Sequence, residues 1–93
     1  MEEKVGARAI ISGRVQGVCF RMETKQTADR FGVRGWVRNR HDGDVEALFE
    51  GDKDRVLAVL KWCEAGPPLA HVSAVSVDWT TYSGAFSAFE IRR

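Results

Sequence analysis

Residues 5–32 read VGARAIISGRVQGVCFRMETKQTADRFG, and this stretch decides the fold. Its first part alternates at the period of two that is typical of a β-strand over residues 5–12, with Val5, Ala7, Ala9 and Ile11 on one face. After a loop with two glycines, a second set recurs at the spacing of an amphipathic helix: Phe20, Thr24, Thr27, Ala28 and Phe31. Gly32 follows as a helix stop. The stretch therefore predicts a strand, a glycine-containing loop and a helix.

The rest of the chain supplies further strands and one more helix. Residues 33–40 and 45–50 are predicted strands, joined at the hairpin signal Asp42-Gly43. Asp52 can cap a second helix, which ends at Gly66-Pro67-Pro68. The inner face of that helix carries Val56, Val59, Leu60 and Cys63. A fourth strand alternates over residues 72–79, and a short last strand is predicted over residues 86–91.

This order, β-α-β-β-α-β plus a short terminal strand, predicts an α+β fold of the ferredoxin-like split βαβ type in a single domain over residues 1–93. We expect an antiparallel sheet with two helices on one face. A right-handed crossover makes strands 1 and 2 parallel, with strand 3 antiparallel between them. Their carboxyl ends then lie on the same edge, about 10 Å apart. The loop after strand 1 and Asn39, at the end of strand 2, therefore face a common space.

Composition narrows the class of protein. The hydrophobic share of 44% excludes a disordered chain, and no apolar run reaches the length of a membrane span. The first residues resemble no signal peptide. The net charge of +1 is far from that of a typical nucleic-acid-binding domain. We expect a cytoplasmic monomer with neither a membrane nor a nucleic-acid partner.

The charged residues are unevenly distributed along the chain. Residues 1–40 hold nine Lys and Arg against four Asp and Glu, which suggests an anion-binding surface in this half.

The chain has two cysteines and two histidines, Cys19, Cys63, His41 and His71. They match no zinc-ligand spacing, and both thiols are expected to be free. We therefore expect no metal and no cofactor.

The loop from Gly13 to Arg21 has the features of a phosphate site. A strand-to-helix junction presents unpaired backbone N–H groups, and the helix dipole adds partial positive charge. Gly13 and Gly17 let the backbone approach a ligand closely. Arg21 lies in the first turn, where a cation is unfavourable unless an anion is near. The pattern indicates a phosphate nest with a guanidinium beside it, and the alternative is an ordinary tight turn with an exposed arginine.

Two longer motifs make the sequence recognisable. Residues 12–21, SGRVQGVCFR, resemble the acylphosphatase signature Gly-x-Val-Gln-Gly-Val-x-Phe-Arg. Residues 35–39, GWVRN, followed by Gly43, Val45 and Gly51, are similar to that family's second signature. The resemblance covers essentially the whole chain, and the family's fold is the ferredoxin-like arrangement already predicted.

The resemblance implies a substrate and a set of roles. It implies hydrolysis of small acyl phosphates without a metal, with Arg21 holding the phosphate and Asn39 positioning the attacking water. The phosphate would also be bound by the backbone N–H groups of Val15, Gln16, Gly17, Val18, Cys19 and Phe20. The side chain of Gln16 is expected to hold the loop.

Other interpretations compete with this one. Cys19 could be a nucleophile, but a cysteine phosphatase places its arginine several residues later, whereas here only Phe20 intervenes. Arg38 and Arg40 are expected to point away from Asn39 as solvated charges. The main alternative function is a non-catalytic ferredoxin-like module that binds anions or RNA. Strand 1 offers such a module no aromatic residue, and the middle of strand 3 offers only Phe49. A third possibility is a carbamoyl-phosphate domain of the hydrogenase-maturation type, against which the short chain argues.

Overall fold

The computed structural model describes residues 3–93. Its elements are β1 (Lys4–Arg14), α1 (Phe20–Phe31), β2 (Arg34–Asn39), β3 (Val45–Asp52), α2 (Lys53–Ala65), β4 (His71–Thr80) and β5 (Phe89–Arg92). Every predicted element is present, and α1 has the predicted bounds. The last strand begins at Phe89 rather than at residue 86. No helix in the described range is long and apolar enough to cross a membrane.

The five strands form one sheet in the order β4-β1-β3-β2-β5. As predicted, β3 lies between β1 and β2 and is antiparallel to both. The expectation of an antiparallel sheet needs one correction, because β5 pairs parallel with β2 and the sheet is mixed. β4 is antiparallel to β1, so it ends where β1 and β2 begin. The chain that leaves β4 crosses this end of the sheet to the opposite edge. β5 therefore runs in the same direction as β2.

Glu50 on β3 fixes that crossing segment. Its buried carboxylate accepts hydrogen bonds from the Ser83 N–H and hydroxyl (3.1 and 3.0 Å) and from the Gly84 N–H (3.1 Å). A buried carboxylate is stabilised by several such donors. Glu50 therefore anchors Ser83 and Gly84 where the chain crosses this end of the sheet on its way to β5.

The core lies between the sheet and the two helices, which pack against the same face. The inward residues of β1 and β3 pair as Ala7–Phe49, Ala9–Ala47 and Ile11–Val45, and all six are fully buried. Among the core residues facing them from the helices are Phe20 and Ala28 of α1 and Val56, Val59, Leu60 and Cys63 of α2. The apolar periodicity read from the sequence is thus the packing surface of both helices.

The start of α2 differs from expectation in one respect. Asp52 is the N-cap residue, but its carboxylate makes no capping hydrogen bond to the helix. It pairs instead with Lys4 and, at 3.8 Å, with Arg55. The cationic side chains on either side compete with the backbone N–H groups for the same oxygens.

Candidate active site

The loop between β1 and α1 is held by three buried apolar side chains. Val15, Val18 and Phe20 are 1%, 9% and 2% exposed, whereas Gly17 and Cys19 are exposed. Burial of three apolar side chains turns the backbone between them outward. The backbone N–H groups of residues 15–20 donate no hydrogen bond to any other residue in the described range. The predicted row of unpaired donors is present.

Left-handed backbone conformations shape this loop. Gly17 has φ 75°, and Cys19, the N-cap of α1, has φ 64° and ψ 23°. Within residues 3–93, Cys19 is the only non-glycine residue with positive φ. Such a conformation costs about 1–2 kcal/mol for a residue with a Cβ. The strain falls in the loop whose backbone N–H groups are unpaired, and such strained backbone is often found in functional loops.

Gln16 attaches the loop to the β2–β3 hairpin. Its Nε2 donates to the carbonyl oxygens of Arg40 (2.8 Å) and Asp44 (3.0 Å). Both protons of the amide are therefore used in holding the loop, in agreement with the role expected for this side chain. The contact fixes the loop relative to Asn39, which immediately precedes Arg40.

Arg21 keeps its positive charge uncompensated. Its Nη1 donates to the carbonyl oxygen of Arg92 on β5 at 3.3 Å, and no carboxylate in the described part of the chain pairs with it. The neighbouring turn of α1 makes a similar contact, from Lys25 Nζ to the Phe89 carbonyl oxygen at 3.0 Å. A partly exposed guanidinium at a helix start, held only by a neutral oxygen, is ready to bind an anion.

Asn39 lies at the end of β2 and is partly buried. Its side chain makes no hydrogen bond to another residue within the described range. The hairpin turn is stabilised by Asp42 instead, whose Oδ1 accepts from the Asp44 N–H at 3.0 Å. The amide of Asn39 is therefore free of any turn-capping role.

One cavity of about 210 Å³ brings these groups together. It is lined by Val15, Gly17, Cys19 and Phe20, by Arg21 and Met22 of α1, by Asn39 of β2 and by Ile91 of β5. Of the predicted site residues, Gln16 and Val18 do not line it. Met22 and Ile91 were not predicted. The position of Ile91 depends on the parallel pairing of β5, for which a four-residue strand offers no sequence signal.

The opposite face of the sheet carries a different cluster. Glu46 is buried and accepts from Arg8 Nε (2.6 Å) and Arg38 Nε (2.8 Å). Burial raises the pKa of Glu46, but the hydrogen bonds and charges of the two arginines outweigh it, so that the pKa lies below its ordinary value. Arg40 pairs with Asp42 at 3.0 Å. As expected, Arg38 and Arg40 point away from Asn39 and stay partly exposed to solvent, and in addition each forms an ion pair.

This open face gives little support to base stacking. Phe49 is fully buried beneath the helices. Trp36 faces the open side, and the guanidinium groups of Arg38 and Arg92 lie 5.8 and 5.2 Å from its ring centroid. An RNA-binding sheet presents uncovered aromatic rings on its central strands.

The cysteines differ in environment. Cys63 is buried in the core, and desolvation raises the pKa of its thiol to about 12. Cys19 is exposed beside Arg21. In the part of the chain that the structure describes, no three His, Cys, Asp or Glu side chains gather in a way that could hold a metal ion.

Comparison with known proteins identifies the family. The acylphosphatase family model matches residues 7–91. The chain is 53% identical to an acylphosphatase of Pelotomaculum thermopropionicum, over 91% of this chain and 92% of that one. It is 51% identical to an acylphosphatase of Anaeromyxobacter dehalogenans, over 99% of both chains. The crystal structure of acylphosphatase from Bacillus subtilis superimposes with a TM-score of 0.92 at 35% identity, covering 96% of this chain and 99% of that one. The chain belongs to the acylphosphatase family.

Proposed function

We propose that this protein hydrolyses acyl phosphates to a carboxylate and inorganic phosphate in the cavity between the β1–α1 loop, Arg21 and Asn39. One observation carries the proposal. A single cavity is lined by backbone donors, a guanidinium and an amide that have no hydrogen-bonding or charged side-chain partner among residues 3–93. These groups come from α1, β2 and the loop after β1, at the edge where β1 and β2 both end.

The first step is capture of the phosphate group. The N–H groups of residues 15–20 and the amino end of α1 supply donors and partial positive charge. Arg21 adds charge-assisted hydrogen bonds, which are about twice as strong as neutral ones. The rigid attachment of the loop through Gln16 supports this role, because preformed donors need not reorganise when charge develops.

The second step is attack by water. The amide of Asn39 can both donate and accept, so it can align a water molecule for in-line attack at phosphorus. The water oxygen forms the new P–O bond while the bond from phosphorus to the acyl oxygen breaks. The electron pair of the broken bond leaves with the carboxylate. This leaving group is stable as an anion, so no strong general acid is required. Asn39 cannot remove a proton, which passes instead to the phosphate or to bulk water.

We further propose that turnover needs no metal and no covalent enzyme intermediate. Phosphoryl transfer depends chiefly on positioning and electrostatic stabilisation, which the loop and Arg21 can provide. Cys19 lies at the exposed start of α1 rather than at the base of the loop, which supports a structural role for this residue. We also propose action as a cytoplasmic monomer without nucleic-acid or membrane partners, in keeping with the near-neutral charge and the paired arginines of the open face.

The test is hydrolysis of benzoyl phosphate with and without EDTA. We expect turnover that is unchanged by EDTA and inhibited competitively by inorganic phosphate. Absence of hydrolysis in a folded preparation would refute the activity. Loss in EDTA with recovery on addition of Mg²⁺ or Zn²⁺ would refute the metal-independent mechanism alone.

A further inference from the structure

Two exposed apolar side chains stand at the mouth of the candidate site. Met22 is 56% exposed and Ile91 is 43% exposed, and both line the cavity that contains Arg21 and Asn39. Large apolar side chains exposed to this degree are few in the described chain, namely Met22, Leu57, Leu69, Trp79, Tyr82 and Ile91. Exposure of such groups costs solvation free energy, and two of them beside a charged site suit contact with a partly apolar ligand.

The hydrogen bond made by Arg21 links the two segments that carry these side chains. Met22 follows Arg21 on α1, and Ile91 precedes Arg92 on β5. The bond from Arg21 Nη1 to the Arg92 carbonyl oxygen joins these two segments. In the parallel register Ile91 lies beside Val37, two residues before Asn39 on β2. The two apolar side chains thus share one cavity with the groups proposed to bind phosphate and water.

We propose that Met22 and Ile91 form an acyl-group subsite, which favours acyl phosphates with an aromatic or branched apolar acyl group over acetyl phosphate. The inference rests on the proposed function, because it assigns the part of the substrate that remains once the phosphate occupies the loop. Phosphate takes the N–H groups and the guanidinium, all of which are polar. The acyl substituent then meets the apolar side of the same cavity.

The chemistry predicts which kinetic constant responds. An apolar acyl group is in contact with Met22 and Ile91 both before and during cleavage of the P–O bond. Such uniform binding lowers KM and leaves kcat nearly unchanged. Inorganic phosphate has no acyl group, so its inhibition constant should not depend on the subsite.

The experiment compares benzoyl phosphate with acetyl phosphate in Met22→Ser, Ile91→Ser and the double variant. Leu57→Ser is the matched control, because Leu57 is 42% exposed and lies on α2 away from the cavity. We expect the wild-type preference for benzoyl phosphate in kcat/KM to fall about tenfold in the double variant, mainly through KM. The values for acetyl phosphate and the phosphate inhibition constant should change less than about twofold.

The outcomes separate the subsite from the activity itself. If wild type hydrolyses neither substrate, the proposed function fails. If wild type hydrolyses both and the double variant keeps the wild-type preference, the subsite is refuted while the function stands. Ile91→Ser could also shift β5 and thereby Arg21, which a raised phosphate inhibition constant would reveal. In that case Met22→Ser decides: a reduced benzoyl preference supports the subsite, and an unchanged one overturns it.

Discussion

The guanidinium of Arg21 donates to the main-chain carbonyl oxygen of Arg92, 71 residues further along the chain. The contact orients Arg21 without neutralising it, because a carbonyl oxygen carries only a partial charge. A carboxylate in the same place would compete with an incoming phosphate. The last strand therefore helps to position the cationic group that the first helix supplies.

Arg21→Ala should abolish phosphate binding together with turnover. The guanidinium serves both the bound substrate and the transition state, and loss of one such donor costs about 10²–10³-fold in rate. Competitive inhibition by phosphate and kcat/KM on benzoyl phosphate measure the effect. Arg30→Ala is the control, because Arg30 is exposed in the last turn of the same helix. Near-normal kcat/KM in folded Arg21→Ala would make the loop an ordinary turn.

Asn39→Ala should lower kcat by roughly 10²–10³-fold and leave the phosphate inhibition constant nearly unchanged. The amide acts on the water rather than on the bound phosphate, so its loss affects mainly the transition state. The denaturation midpoint should stay close to wild type, because the hairpin turn is stabilised by Asp42. A variant with full kcat and about 1 kcal/mol less stability would instead assign Asn39 a structural role.

Gln16→Glu should impair the protein more than Gln16→Ala. The wild-type amide donates two hydrogen bonds, whereas a carboxylate can only accept and would face two carbonyl oxygens. We expect both variants to weaken phosphate inhibition and turnover together, because the loop donors lose their fixed position. Thermal unfolding should show about 1–2 kcal/mol of destabilisation for alanine and more for glutamate. Equal behaviour of the two variants would contradict the observed hydrogen bonds.

Cys19→Ser should retain most activity, whereas Cys19→Val should lose stability and activity. A β-branched residue tolerates the left-handed conformation poorly, at a further cost of about 1–2 kcal/mol, while serine keeps the size and flexibility of cysteine. Chemical denaturation and benzoyl phosphate turnover give the two readouts. Detection of a phosphocysteine by mass spectrometry would show that the thiol is a nucleophile and contradict the prediction.

Glu46 should make stability depend on pH on the acidic side. The pKa of Glu46 is lowered in the folded protein, so at acidic pH the unfolded chain binds more protons at this residue than the folded chain does. The stabilisation is therefore present above the ordinary glutamate pKa of 4.5 and is lost as pH falls through the pKa of the folded state. Glu46→Gln should cost about 1–3 kcal/mol at pH 7 and flatten this dependence. The exposed Glu64→Gln is the matched control. The test is the denaturant midpoint measured from pH 7 to pH 3. If the midpoint of Glu46→Gln fell with pH as steeply as that of the wild type, Glu46 would not be the source of the pH dependence.

Most of the residues that line the candidate cavity could be placed from the sequence, because their positions depend on local patterns. The loop glycines, the start of α1 at Phe20 and the end of β2 at Asn39 all follow from periodicity and turn residues. The crossover rule then placed loop and Asn39 on one edge. What could not be predicted depends on non-local contacts. The parallel pairing of β5 follows from the path of residues 81–88 across the end of the sheet. Glu50, on the central strand β3, anchors this segment.

The parallel pairing of β5 with β2 also bears on the order of assembly during synthesis. A ribosome that has released residues 3–80 has released the β1–α1 loop, Asn39 and both helices, but not the strand that receives Arg21. Such non-local pairing forms late, because the intervening chain must first be ordered. Until β5 is released, the nascent domain would thus lack both Phe89, a core residue that stacks on Phe49, and the carbonyl oxygen that orients Arg21.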